Sequence, residues 1–172
     1  MCRFHAKTVY DQPILVGLQY VLRLDDDSFV LKPVGYDIFR LMRDRRILYG
    51  YVLLRPDSCL DGLLPVAKEF MRTRNITATK LQSPLRTTFY NNFELSDLDF
   101  WRSPEYRDYI DFIDQKGGIY YHRWGDAPIK TIAVTALIPK NRTHHFQDIV
   151  YRHQDWQTAS KKPRFFRFLK QP

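Results

Sequence analysis

The sequence predicts an α/β domain, and three observations carry that expectation. Branched and aromatic runs that suit strands alternate with segments of helical periodicity. At 172 residues the chain is long enough for one real core. No internal repeat and no Gly/Pro-rich linker divides it.

The elements follow in order. "LQYVLRL" (18–24) is strand-like and runs into Asp25, Asp26 and Asp27, so the acids are expected at a strand's C-terminal end, where open α/β sheets place ligands. "YDIFRLMRDRR" (36–46) has Ile38, Leu41 and Met42 at helical spacing and basic residues in its last turn. "ILYGYVLL" (47–54) is expected to be a buried strand. "LDGLLPVAKEFMRTR" (60–74) is expected to be helical, with Pro65 near the first turn or at a kink. "SPEYRDYIDFIDQKGG" (103–118) is the clearest helix: Ser103 caps, Pro104 takes the first position, Tyr106, Tyr109, Ile110 and Ile113 form the stripe, and Gly117-Gly118 ends it. "GIYYHRW" is expected to be a strand, and "APIKTIAVTALI" (127–138) fits either a helix ended by Pro139 or a strand.

Composition narrows the class. The net charge is +8, from 27 Lys and Arg against 19 Asp and Glu, which suits a polyanionic partner. A nucleic-acid module is one such reading, but the acid triplet and the lack of any matching motif argue for no nucleic acid. Cys2 and Cys59 are too few for a disulfide framework. No apolar run approaches the ~18 residues of a membrane span, and the opening "CRFH" is not expected to act as a charged-then-apolar leader. Two N-x-Thr sequons occur, at Asn75 and Asn141. The stretch 156–172, ending in "KKPRFFRFLKQP", reads as a basic-aromatic tail after a domain at 1–155.

Four constellations can carry chemistry. Acids gathered after an apolar strand suit a hard divalent cation that in turn holds a diphosphate; solvated surface charge is the plainer alternative. In "YNNFELSDLDFW", Glu94 stands between Phe93 and Leu95 and is expected to be partly desolvated, while the amides Asn91 and Asn92 suit sugar hydroxyls. "YYHRWGDAP" offers Tyr121 and Trp124 as a flat platform beside Asp126, or a simple hairpin turn. His144, His145 and His153 gather within "THHFQDIVYRH", where a metal site competes with ordinary surface or core histidines.

Together "MCRF", "RLDDD" followed by "YDIFRLM", "YNNFELSDLDFW", "GGIYYHRWGDAP" and "DIVYRH" resemble glycosyltransferase family 15, the fungal-type Golgi α-1,2-mannosyltransferases, over about residues 1–155. The resemblance implies a GT-A-like nucleotide-diphospho-sugar transferase fold: a mixed central sheet flanked by helices, here lacking the first strands. It implies transfer of mannose from GDP-mannose to a mannose-bearing glycan acceptor with retention of configuration, and Mn2+ as cofactor. By resemblance Asp25 is a metal ligand, with Asp27 beside it in the motif, and His153 is a second ligand. Glu94 is the nucleophile or the carboxylate that stabilises an oxocarbenium-like state, and Asp126 sits at the sugar site. One imidazole beside carboxylates suits Mn2+ better than Mg2+. Two departures stand out: Asp25 where the family usually has Glu, and Asp26 where Pro is common. The family domain begins well before "MCRF", so the chain is expected to be an N-terminally truncated fragment. A membrane anchor and a Golgi-lumen location are then expected only of a full-length type II protein. An inactive or partner-dependent fragment, unable to bind GDP-mannose alone, is the alternative.

Overall fold

The structure, a computed structural model, describes residues 1–57, 62–77 and 87–158. In chain order its elements are α1 (Cys2–Ala6), β1 (Tyr20–Leu24), β2 (Ser28–Val30), α2 (Ile38–Asp44), β3 (Tyr49–Tyr51), β4 (Leu54–Arg55), α3 (Leu63–Thr73), β5 (Thr88–Phe89) and β6 (Phe93–Asp97). There follow α4 (Leu98–Arg102), α5 (Pro104–Gln115), α6 (Gly118–Tyr121), α7 (Asp126–Leu137), β7 (Thr143–His145), β8 (Tyr151–His153) and β9 (Trp156–Gln157). The main sheet has the order β1-β6-β3-β7. It is mixed: β6 runs antiparallel to β1 and β3, and β3 runs parallel to β7. Strands β2-β8-β9 form a second sheet, and β4-β5 a two-stranded ribbon.

Strand β6 organises the core. All five of its residues are buried, because apolar side chains cover both faces of the sheet. Phe93 and Leu95 join one cluster, with Met42, Phe146 and Tyr151. Glu94 and Ser96 point the other way, as the period of two demands, toward the helical layer. There the Trp101 indole donates to Ser96 Oγ at 2.8 Å. Trp101 in turn stacks on Tyr10 with ring centroids 5.2 Å apart.

The helices form where local chemistry supplies their ends. Asp37 caps α2 by accepting from the backbone N–H groups of Phe39 and Arg40, both at 2.9 Å. Helix α5 has the expected cap, with Ser103 Oγ accepting from the Tyr106 N–H at 3.3 Å. Its four stripe residues are all fully buried. In α3, Pro65 falls in the first turn, where its missing N–H costs no helical bond. The segment left open between helix and strand is helix α7. Pro128 through Val134 are all buried, so no single apolar face marks its period in the sequence.

Two expectations are corrected. "GIYYHRW" is not a strand: Gly118–Tyr121 form the short helix α6. Gly117 precedes it in the left-handed region (φ 70°), and Tyr120 and Tyr121 are exposed rather than packed on a sheet. Gly118 lies flat against Trp124, where an added Cβ would meet the indole at 2.4 Å. The expected strand 47–54 is split into β3 and β4, which join different sheets. Past residue 155, Trp156–Gln157 fold back on β8; residues 159–172 of the expected tail, and Cys59, lie outside the described residues.

Candidate functional site

The site is built around one short segment, Tyr90-Asn91-Asn92-Phe93-Glu94. It leaves the β4-β5 ribbon and enters β6, and four of its side chains each hold a different functional group.

Asn92 comes first. Pairing of β1 with β6 puts Leu24 opposite Phe93, so the chain beyond β1 meets Asn92. The Asp25 N–H donates to the Asn92 carbonyl at 3.3 Å, and the Asn92 amide donates to Asp25 Oδ2. The acids therefore occupy the turn between β1 and β2. Strand β2 pairs with β8, setting Ser28 opposite His153. That register brings the imidazole to the acids: His153 Nε2 lies 2.7 Å from Asp27 Oδ1 and 3.9 Å from Asp25 Oδ2. The ligand atoms of Asp25, Asp27 and His153 all lie within 4.8 Å of one another. Asp26 adds no ligand atom to this group.

Tyr90 orients the imidazole. Its hydroxyl bonds His153 Nδ1, which leaves Nε2 to face the carboxylates. This is the arrangement that metal-binding histidines use, one ring nitrogen on a partner and the other on the ion. Among the described residues, the guanidinium that pairs with these acids is that of Arg23, whose Nη2 is 3.5 Å from Asp25 Oδ1. Two carboxylates, one oriented imidazole and incomplete local neutralisation fit a divalent cation.

Asn91 and Glu94 serve the interior. The Asn91 amide donates to Asp126 Oδ2 at 2.7 Å, and Arg23 Nη1 pairs with the same oxygen at 2.6 Å. Burial alone would push the Asp126 carboxyl up, but the Lys130 and Arg23 charges outweigh it and hold its pKa below the usual carboxylate range. Asp126 opens α7, and Lys130, one turn on, projects to Glu94. The Lys130 ammonium pairs with Glu94 Oε1, and the Tyr49 hydroxyl donates to Oε2 at 3.2 Å. Both members of the ion pair are 2% exposed. Burial drags the Lys130 pKa below that of a free lysine, against the opposing pull of Glu94 and Asp126. Lys130 Nζ also stands 4.7 Å over the Trp101 ring. Burial and the Glu94 charge push the Tyr49 phenol well up, so it acts as a hydrogen-bond donor.

The structure thus gathers Asp25, Asp27, Asn91, Asn92, Glu94, Asp126 and His153 around one segment. A cavity of about 310 Å³ opens beside it, lined by Tyr90, Asn91, Asn92 and Ala127 among others. Tyr121 and Trp124 are not among its lining residues. Trp124 is buried under Gly118 and has no open face, while Tyr121 is 83% exposed. His144 and His145 lie on β7, away from this group; His145 stacks on Tyr51 and its Nε2 is 3.0 Å from the Val52 carbonyl. Sequence reasoning missed Arg23, Tyr90 and Lys130. The one available signal was Lys130 itself, a lone lysine inside the apolar run "PIKTIAV".

The sequence matches the family described as glycolipid 2-alpha-mannosyltransferase, glycosyltransferase family 15, over residues 1–170. The chain belongs to this family. Among curated relatives, it is 33% identical to O-glycoside alpha-1,2-mannosyltransferase homolog 2 of Schizosaccharomyces pombe, covering 96% of the chain and 48% of that protein. It is 30% identical to glycolipid 2-alpha-mannosyltransferase 2 of Candida albicans, covering 96% of the chain and 39% of that protein. The fold superimposes on the mannosyltransferase Ktr4p from Saccharomyces cerevisiae in complex with GDP, with a TM-score of 0.87 at 32% identity over 95% of this chain and 47% of that one. It also superimposes on core-mannan synthase A from Aspergillus fumigatus in its Mn/GDP form, with a TM-score of 0.82 at 28% identity over 96% and 52% of the two chains. This family 15 chain therefore spans about half, or less, of the length of the relatives it matches. Its mixed sheet with flanking helices is the family's α/β fold.

Proposed function

We propose that this chain carries the metal and sugar side of a retaining α-1,2-mannosyltransferase that takes mannose from GDP-mannose and passes it to a mannose-bearing glycan. One observation carries the reading: the 90–94 segment joins the Asp25–Asp27–His153 cluster to Asp126 and Glu94. The Mn/GDP and GDP forms of the two solved relatives support the choice of cation and nucleotide.

Asp25, Asp27 and His153 would hold Mn2+, which when bound neutralises the diphosphate as it departs. With the leaving group stabilised in that way, no side chain need protonate it. Glu94, engaged by Lys130 and Tyr49, is fixed in place and sets a carboxylate against the positive charge that builds on the sugar. Asp126, held by Arg23 and Asn91, orients hydroxyls of mannose or acceptor. Retention then follows when the acceptor hydroxyl enters on the face the diphosphate leaves: the new C–O bond forms as the sugar–phosphate bond breaks, and the hydroxyl proton passes to the departing diphosphate oxygen. The test is Glu94→Gln assayed for mannose transfer from GDP-mannose. A loss of at least 100-fold is expected, and near-normal turnover removes Glu94 from the mechanism.

A second reading is that the chain holds the metal but does not bind GDP alone. Calorimetry with GDP and Mn2+ separates the two: heat of GDP binding supports the first, and none supports the second. A Golgi-lumen setting belongs to the same proposal. Both sequon asparagines, Asn75 and Asn141, are exposed, so a glycosidase-sensitive mass shift on secretory expression is the check. Among the described residues, no helix is long and apolar enough to cross a membrane.

A further inference from the structure

Arg55 ends β4 at the edge of the cavity, opposite Thr88 of β5. Its guanidinium carbon stands 4.9 Å from the centroid of the Tyr90 ring and 5.0 Å from that of Trp156. These two rings belong to the neighbours of His153: Tyr90 bonds its Nδ1, and Trp156 is its partner across the β8-β9 hairpin. Arg55 is therefore packed against the same two residues that frame the metal-ligand imidazole. Arg55 also hydrogen-bonds the Tyr90 side chain, and a guanidinium has five N–H donors, so others remain for an in-plane acceptor such as phosphate oxygens.

Charge also calls for it. Two carboxylates cancel a divalent cation, while a departing nucleoside diphosphate brings about three negative charges. Arg23 is already paired with Asp126 at 2.6 Å, and Lys130 is buried on Glu94. Arg55 lines the cavity with Thr88, Asn91 and Asn92; the lining includes one carboxylate, Asp57.

We propose that Arg55 is the direct protein contact for the donor's diphosphate, complementing the Asp25–Asp27–His153 cluster. The inference rests on the nucleotide-sugar reading above and names a residue that reading does not use.

The experiment is calorimetry on the 172-residue chain, first with Mn2+ alone and then with inorganic pyrophosphate in saturating Mn2+, for wild type, Arg55→Gln and Arg55→Lys. Arg55→Gln is expected to keep its Mn2+ affinity within about twofold and to lose pyrophosphate affinity by about tenfold or more, since a charge-assisted contact disappears. Arg55→Lys should recover part of the loss, because the charge returns without the planar fork. Equal pyrophosphate affinity in wild type and Arg55→Gln overturns the assignment of Arg55 alone. Failure of the wild type to bind pyrophosphate with Mn2+ overturns the diphosphate reading of the site, and this proposal with it. A fall in Mn2+ affinity matching the fall in pyrophosphate affinity would show that Arg55 acts only by holding Tyr90 and His153, which also overturns a direct contact.

Discussion

The two groups of charge tied to the 90–94 segment are built on opposite terms. At the rim, Asp25 and Asp27 keep side-chain exposures of 31% and 50%; Asp27 faces the His153 imidazole, and Asp25 accepts from the Asn92 amide and has only a share of Arg23, which also pairs with Asp126. In the interior, Glu94 and Lys130 are sealed and matched one to one, and Asp126 has Arg23. Unmatched charge near water remains available to an ion. Matched charge away from water does not, and a buried pair of this kind is poor evidence for stability by itself. It fixes where a carboxylate stands, which is the task the mechanism gives Glu94.

The largest expected effect lies in the interior. Lys130→Met leaves Glu94 buried without its cation and should cost about 3–5 kcal/mol by chemical denaturation. Pairing it with Glu94→Leu should recover most of that loss, because two apolar residues replace two charges. A single-variant cost below about 1 kcal/mol, as for a surface pair, would erase the distinction between the two regions. The Tyr90→Phe variant sharpens the other side. Removing the hydroxyl that orients His153 should lower Mn2+ affinity by about tenfold, in the range seen when such partners are lost. Unchanged affinity would show that the imidazole needs no positioning.

The smallest effect is a pH dependence. The folded-state pKa of Asp126 lies below its unfolded value, with burial opposing and Lys130 and Arg23 prevailing. Its contribution is therefore present above the unfolded pKa of about 3.9 and is lost as pH falls through the lower folded value. Wild type should lose stability more steeply than Asp126→Asn below about pH 4 in thermal melts. Parallel curves would remove Asp126 from the set of matched charges.

How legible this was depended on how local each feature is. Ser103 before Pro104, the stripe of α5 and the strand leading into Asp25 are written in neighbouring residues, and they form as expected. The pairing of Glu94 with Lys130 spans 36 residues and needs α7 to lie on the β6 face. No periodicity in either segment encodes that contact. Tyr90 likewise reaches His153 across 63 residues through the docking of two sheets. The side chains of "GIYYHRW" are strand-like, but the left-handed Gly117 and the close approach of Gly118 to Trp124, which make it a helical turn, have no mark in that composition.

The central claim is that the acid turn and a distant imidazole make one divalent-cation site. Its most direct test is Mn2+ titration, followed by electron paramagnetic resonance, of wild type, Asp27→Asn and His153→Ala. The account predicts one bound Mn2+ in wild type, weakened at least tenfold in each variant. Binding that is equally tight in all three would contradict it.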